Sequence, residues 1–288
     1  MAEIFGRIAD NDALNTNPPA GSMELSVHGS DWLFAVTGLY AVAFLFFFAT
    51  SFWARCGERL FHYFFSVALL IGSLTYFAQA SDLGYIVITE ADSLARQVFW
   101  PKYVNWVISF PVTVVSLGIL SGTPWATIVF TVCLTWTWIL SYLASAVTTT
   151  TYKWGFFGFG TAAHLLLSFH TFTAITSARR LGIARDYILL TAWVNFIWLG
   201  YPIAFGLTDG ANVIGITPEF IFFGGLDILL TPVLSFAFIL MARRWDYNEL
   251  NLPFTRYSQV QSFGHFPQKN MTPADATTDE EAHHGLAQ

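Results

Sequence analysis

Seven long apolar blocks dominate the sequence, at residues 31–54, 60–83, 98–121, 124–147, 154–177, 187–207 and 217–242. Each is of the order of the ~20 residues that an α-helix needs to cross a hydrocarbon core roughly 30 Å thick. Inside such a core every backbone donor and acceptor has to be satisfied by the chain itself, so segments of this kind span as helices. The surface chemistry agrees, because only 11% of the residues are charged, against about 25% in a soluble domain. Mean hydropathy is +0.52, and the expected class is an all-α membrane protein with seven transmembrane helices.

The connections carry an uneven charge. Those after the first, fifth and seventh blocks hold Arg55 and Arg59, then Arg179, Arg180 and Arg185, then Arg243 and Arg244. An excess of basic residues marks the cytoplasmic side. The opposite connections mix Asp82, Glu90, Asp92, Arg96, Lys102, Lys153, Asp209 and Glu219. The N-terminus is therefore expected outside and the C-terminus inside. Residues 1–27 have no apolar stretch of the secretory kind and read as an extracellular segment. Residues 28–246 form the transmembrane domain, and the polar residues 247–288 read as a disordered cytoplasmic tail.

The tail accounts for much of the net charge of −6 through Asp275, Asp279, Glu280 and Glu281, and nothing points to nucleic acid as a partner. Asn270-Met271-Thr272 has the form of a glycosylation acceptor but falls on the side where it stays unmodified. Cys56 and Cys133 are the only cysteines, too few for a disulfide framework and without the neighbours of a metal site, so both read as packing residues.

Polar residues inside the apolar blocks narrow the reading. Lys102, Asn105, Ser109, Thr113 and Ser116 recur at spacings of three and four, which puts all five on one face of the third helix. For the hydroxyls, a bond back to the preceding turn is the simpler account. Lys102 and Asn105 require partners. Asp227 lies inside the seventh block, where a carboxylate has to be paired or protonated, and Lys102, Asn105 and Tyr201 are its expected partners. A structural ion pair remains as good an account of Asp227 as a functional one.

Thr231 is one turn beyond Asp227, and Glu219 stands near the external mouth. Trp198, Tyr201 and Phe205 line one face of the sixth helix; Trp106, Phe157, Gly160, Thr161 and His164 extend that lining. An aromatic stripe is core or cofactor wall, and His164 is either a pH-sensitive group or a neutral histidine bonded to a neighbour. Pro111, Pro202 and Pro232 interrupt the third, sixth and seventh helices, which predicts kinks around an enclosed cavity.

Several stretches carry a family resemblance. HGSDW at 28–32, YFAQASDLGY at 76–85, WPKYVNWVISFP at 100–111, WLGYP at 198–202 and LDILLTP at 226–232 together resemble the fungal branch of the microbial rhodopsins, from residue 28 to about 244. The register of the fourth helix is open. The resemblance implies a seven-helix rhodopsin-like bundle in which Trp106, Trp198, Tyr201 and Phe205 occupy the positions that sandwich retinal. Phe157 and His164 then fall on pocket positions, Asp227 on a counterion position and Glu219 in the proton-release region.

Four positions depart from the family pattern. Thr231 stands where the retinal-binding lysine belongs, Asn105 at the proton-acceptor counterion, Ser116 at the proton donor and Lys102 at the arginine. A Schiff base needs a primary amine, which a threonine hydroxyl does not supply. The chain is similar to the fungal opsin-related proteins that include a yeast heat-shock protein of the plasma membrane.

The expected function is that of a non-photoactive, non-enzymatic plasma-membrane protein without covalent retinal or light-driven proton pumping. It is expected to be a stress-linked regulator or chaperone-like modulator of membrane proteins such as the proton ATPase. Its partners are the lipid bilayer, such a membrane protein, or a further copy of itself. The alternatives are a sensor that binds a retinoid, sterol or lipid tail noncovalently in the vestigial pocket, and a passive ion or proton path through Lys102, Asn105, Asp227 and Glu219.

Overall fold

The computed structural model describes residues 11–89 and 94–245, apart from the side chain of Cys56. Glu90, Asp92, the tail from residue 246 and its Asn270 acceptor lie outside the described residues. Seven long helices follow one another: α1 (Val27–Ser51), α2 (Cys56–Ala80), α3 (Trp100–Leu120), α4 (Trp125–Val147), α5 (Lys153–Thr173), α6 (Ala184–Gly210) and α7 (Ile216–Ala242). The expected blocks and the observed helices differ by a few residues at each end. Among the described residues six of the helices are long and apolar enough to cross a membrane. The exception, α5, is as long as α3 but is diluted by Gly155, Gly158, Gly160, His164 and His170.

The helices are not equivalent in the bundle. α1 buries Leu33, Val36, Tyr40, Ala43 and Phe47, one stripe at helical spacing, and exposes Leu39, Val42, Leu45 and Phe46 on the side a bilayer would cover. α3 is buried on nearly all sides, including the whole of its polar face. Lys102, Asn105, Ser109, Thr113 and Ser116 are each at most 3% exposed, as their spacing requires.

A two-stranded antiparallel hairpin, β1 (Tyr85–Thr89) with β2 (Ala95–Phe99), joins α2 to α3 and pairs Tyr85 with Phe99. It turns out of α2 through Gly84, whose φ of +76° belongs to the left-handed region and whose α-carbon leaves no room beside the Pro101 ring. The chain ahead of α1 is tied to this hairpin. Met23 bridges Arg96, the Leu25 amide donates to Gln97 Oε1 (2.8 Å), and Asn17 Nδ2 donates to the Ser81 carbonyl (2.9 Å).

Two of the three prolines sit beside wide turns. One π-helical turn, Gly206–Gly210, ends α6 just past Pro202, and a second, Leu229–Val233, holds Pro232 within α7. A proline has no amide hydrogen, so carbonyls nearby lose a donor. Side chains from other turns and helices compensate: Tyr40 Oη donates to the Asp227 carbonyl (2.9 Å), Trp193 Nε1 to Leu229 (3.0 Å) and Ser235 Oγ to Thr231 (2.5 Å).

Candidate functional site

Asp227 sits at the middle of the bundle, 2% exposed, with four side-chain donors around it. Its Oδ2 accepts from Tyr76 Oη (2.6 Å) and Asn105 Nδ2 (3.1 Å), and its Oδ1 from Tyr201 Oη (2.5 Å) and Trp106 Nε1 (3.0 Å). Donors thus come from α2, α3 and α6. A buried carboxylate is tolerated where its lone pairs are filled this way. Asn105 and Tyr201 are partners as expected. Tyr76 and Trp106 were not foreseen as donors, although both lie within motifs that the sequence singles out.

Lys102 is not a partner of Asp227. It reaches toward the hairpin end, where its Nζ donates to Asp209 Oδ2 (2.5 Å) and pairs with Glu219. Arg96 pairs with the same two carboxylates, with Nε 3.5 Å from Asp209 Oδ1 and Nη2 on Glu219. Tyr103 Oη adds a bond to Asp209 Oδ2 (2.8 Å), and Arg96 Nη1 donates to the Ile214 carbonyl (3.0 Å).

All four charged residues are at most 3% exposed, and two cations against two anions leave the cluster neutral. Burial opposes the charge on the Arg96 guanidinium, but Glu219 and Asp209 outweigh it and hold its pKa above arginine's ordinary value. Lys102 stands in the first turn of α3, one turn nearer the hairpin than Asn105, and so meets Asp209 and Glu219 while Asp227 is left to neutral donors. Beside the cluster, Asp82 takes two bonds of 3.2 Å from Gln97 Nε2, and burial pushes its carboxyl up to about 6.

Aromatic rings fill the space next to Asp227. Phe110 packs against Tyr201 (4.9 Å between centroids), Trp138 (5.1 Å) and Trp198 (5.9 Å), and Trp138 in turn meets Trp198 at 5.9 Å. Tyr142 closes on Phe205 at 4.4 Å and Phe157 at 5.3 Å. Gly160 permits this closure, because a Cβ there would come within 2.7 Å of the Tyr142 ring. Rings from α3, α4 and α6 thus meet one another at this level of the bundle.

The open register of the fourth helix concealed the two residues responsible, Trp138 and Tyr142. His164 also departs from expectation: neither ring nitrogen has a hydrogen-bond partner, and the ring stacks on Trp138 at 4.3 Å. A flat indole face holds it in place of a polar neighbour. Trp198 and Phe205 are buried where their spacing placed them, and Thr161 bonds Tyr142 Oη at 2.9 Å.

The half of the bundle beyond Asp227, toward the ends of α1 and α7, has different chemistry. Thr231 is 3% exposed, one turn past Asp227 on the π turn. Thr113 bonds back to the Ser109 carbonyl (3.1 Å), the simpler of the two accounts, whereas Ser109 Oγ and Ser116 Oγ have no partner. Asn195 Nδ2 donates to Thr171 Oγ1 (3.0 Å). Among the described residues no group of three or more histidines, cysteines and carboxylates could hold a metal ion. Cys133, expected as packing, is on the exposed face of α4.

Comparisons with known proteins agree with this architecture. The family model described as bacteriorhodopsin-like protein matches residues 28–247. Protein FDD123 of Trametes versicolor is 34% identical over 262 residues, covering 88% of this chain and 91% of that protein. The 30 kDa heat shock protein of Saccharomyces cerevisiae is 29% identical over 255 residues, with 77% of this chain and 75% of that protein covered. Among solved structures, the light-driven proton pump rhodopsin of Coccomyxa subellipsoidea superposes with a TM-score of 0.74 at 25% identity, over 76% of this chain and 98% of that one.

Proposed function

The chain belongs to the bacteriorhodopsin-like family, and from that premise we propose that it is a non-photoactive opsin scaffold that works by contact with other membrane proteins. In this reading it resides in the plasma membrane with the N-terminus outside, is not an enzyme, and neither carries covalent retinal nor pumps protons. The stress link is supported by its relative named as a heat shock protein, and the proton-exporting ATPase is the regulatory target that the resemblance implies.

The observation that carries the reading is position 231 together with the space before it. Thr231 offers a hydroxyl where an amine is needed for a Schiff base. Of the two lysines among the described residues, Lys102 is committed to Asp209 and Glu219, and Lys153 opens α5. Phe110, Trp138, Trp198 and Tyr201 meet ring to ring next to Asp227, one turn before Thr231. These residues do not fit a covalently held retinal, and the same ring packing weighs against a noncovalent one. A passive path finds support only as far as Asp227, since the described spans just beyond it offer the buried hydroxyls and amide of Ser116, Thr191 and Asn195, and Glu58 lies apart at the far end of α2.

The test is twofold. Purified protein mixed with all-trans retinal is expected to give no absorbance band beyond that of free retinal, and vesicles containing it to show no pH change on illumination. A red-shifted band with light-dependent proton movement overturns the reading. Deletion of the gene is expected to alter proton export and survival under heat, acid or ethanol; unchanged values remove the regulatory part.

A further inference from the structure

At the end where α1 and α7 finish, a cavity of about 280 Å³ opens between α1, α2 and α7, lined by Thr50, Trp53, Arg55, Glu58, His62 and Arg243 among others. Seven arginines gather at this end: Arg55, Arg59, Arg179, Arg180, Arg185, Arg243 and Arg244. The Trp245 indole donates to Asp186 Oδ2 (2.9 Å), joining the end of α7 to the start of α6 and committing one of the few acids nearby.

The two arginines in the cavity wall are exposed, and neither has a carboxylate within 4.0 Å among the described residues. That is the reverse of the hairpin end, where Arg96 and Lys102 are paired inside the protein. Beneath them Arg59 Nη2 donates to the Ala54 carbonyl (3.4 Å), and the Arg59 Nε is buried without a partner. His62 Nδ1 bonds the Glu58 carbonyl (3.1 Å), which fixes the floor of the cavity. The rim is aromatic: Trp53 is 82% exposed and Phe52 64%, the kind of side chain that settles at the level of lipid headgroups.

We propose that this cavity binds a phosphate oxyanion, held between the guanidinium groups of Arg55 and Arg243. Guanidinium forks match phosphate oxygens in pairs, and basic pockets between transmembrane helices take anionic headgroups. Two arginines against Glu58 give the wall one net formal positive charge, which suits an anionic glycerophospholipid, whose phosphodiester has no headgroup ammonium to offset it, better than a zwitterionic lipid or a polyphosphate. The site is independent of retinal chemistry and of any partner protein, so it stands or falls apart from the proposed function.

The full chain, purified and placed in nanodiscs of phosphatidylcholine with or without phosphatidylinositol, is examined by native mass spectrometry for retained lipid, with inorganic phosphate as competitor. The wild type is expected to retain phosphatidylinositol over phosphatidylcholine, and Arg55→Gln and Arg243→Gln each to weaken that preference about tenfold. Displacement of that lipid by inorganic phosphate supports the oxyanion site, and phosphate binding without lipid preference, lost in the same variants, assigns its ligand to the soluble pool. Equal retention of both lipids by the wild type with no phosphate binding, or variants indistinguishable from it, overturns the proposal. Because both arginines are exposed, unchanged thermal unfolding of the variants shows that a loss reflects binding.

Discussion

The two ends of the bundle treat their cations oppositely. At the hairpin end Arg96 and Lys102 are buried against Asp209 and Glu219, with Tyr103 completing the set. At the other end Arg55 and Arg243 stand exposed around a cavity, with no carboxylate in ion-pair range among the described residues. Burial is what separates the cases. A charge removed from water must be compensated inside the protein, whereas one left in water or among headgroups is free to meet something external. One end is therefore closed by its own chemistry, and the other is available for recognition.

The comparison breaks most sharply at Lys102. Lys102→Met leaves Arg96 alone against two buried carboxylates, and the expected cost is about 3–5 kcal/mol, read as a lower midpoint in denaturant unfolding. Adding Asp209→Asn restores neutrality and is expected to recover part of the loss. If the single variant unfolds with the wild type, the cluster does not hold this end together.

A smaller effect is expected from Asp82, next to the cluster. Its carboxyl is raised to about 6 from the ordinary 3.8, so the folded protein holds the proton more tightly than the unfolded chain. Its stabilising contribution is full below about pH 4 and is lost as pH rises through about 6. Thermal unfolding measured across that window should show a decline that Asp82→Asn flattens. The same slope in both proteins assigns the decline elsewhere.

The smallest effect belongs to the half beyond Asp227. Ser116 Oγ is fully buried without a partner, so Ser116→Ala removes an unsatisfied group and is expected to change stability by less than about 0.5 kcal/mol or to raise it slightly. A loss comparable to that of Lys102→Met erases the distinction between the halves.

Much of the fold was legible because a bilayer imposes one rule on every span: enough apolar residues in a row to cross. The polar face of α3 was equally legible, since spacings of three and four leave one geometric outcome. The hairpin was not anticipated, although YIVIT in β1 is rich in β-branched residues and its partner ARQVF follows closely in the sequence. Asp209 was read as a residue of a connection, because only the π turn at Gly206–Gly210 carries it inward to Lys102. Trp138 and Tyr142 were missed for want of a register in α4, where apolar residues occur on every face.

The sequence by itself determined that this chain is a bundle of seven helices, that position 231 holds no amine, and that Asp227 needs partners. Hydropathy, side-chain chemistry and helical period depend on nothing beyond the local chain. The tertiary structure decided which partners: four neutral donors for Asp227, two carboxylates for Lys102, and the rings of Phe110 and Trp138 for Tyr201. Each of those contacts joins residues far apart in the chain, and which of several available partners a buried charge takes is set by the packing of α2, α3, α6 and α7 against one another.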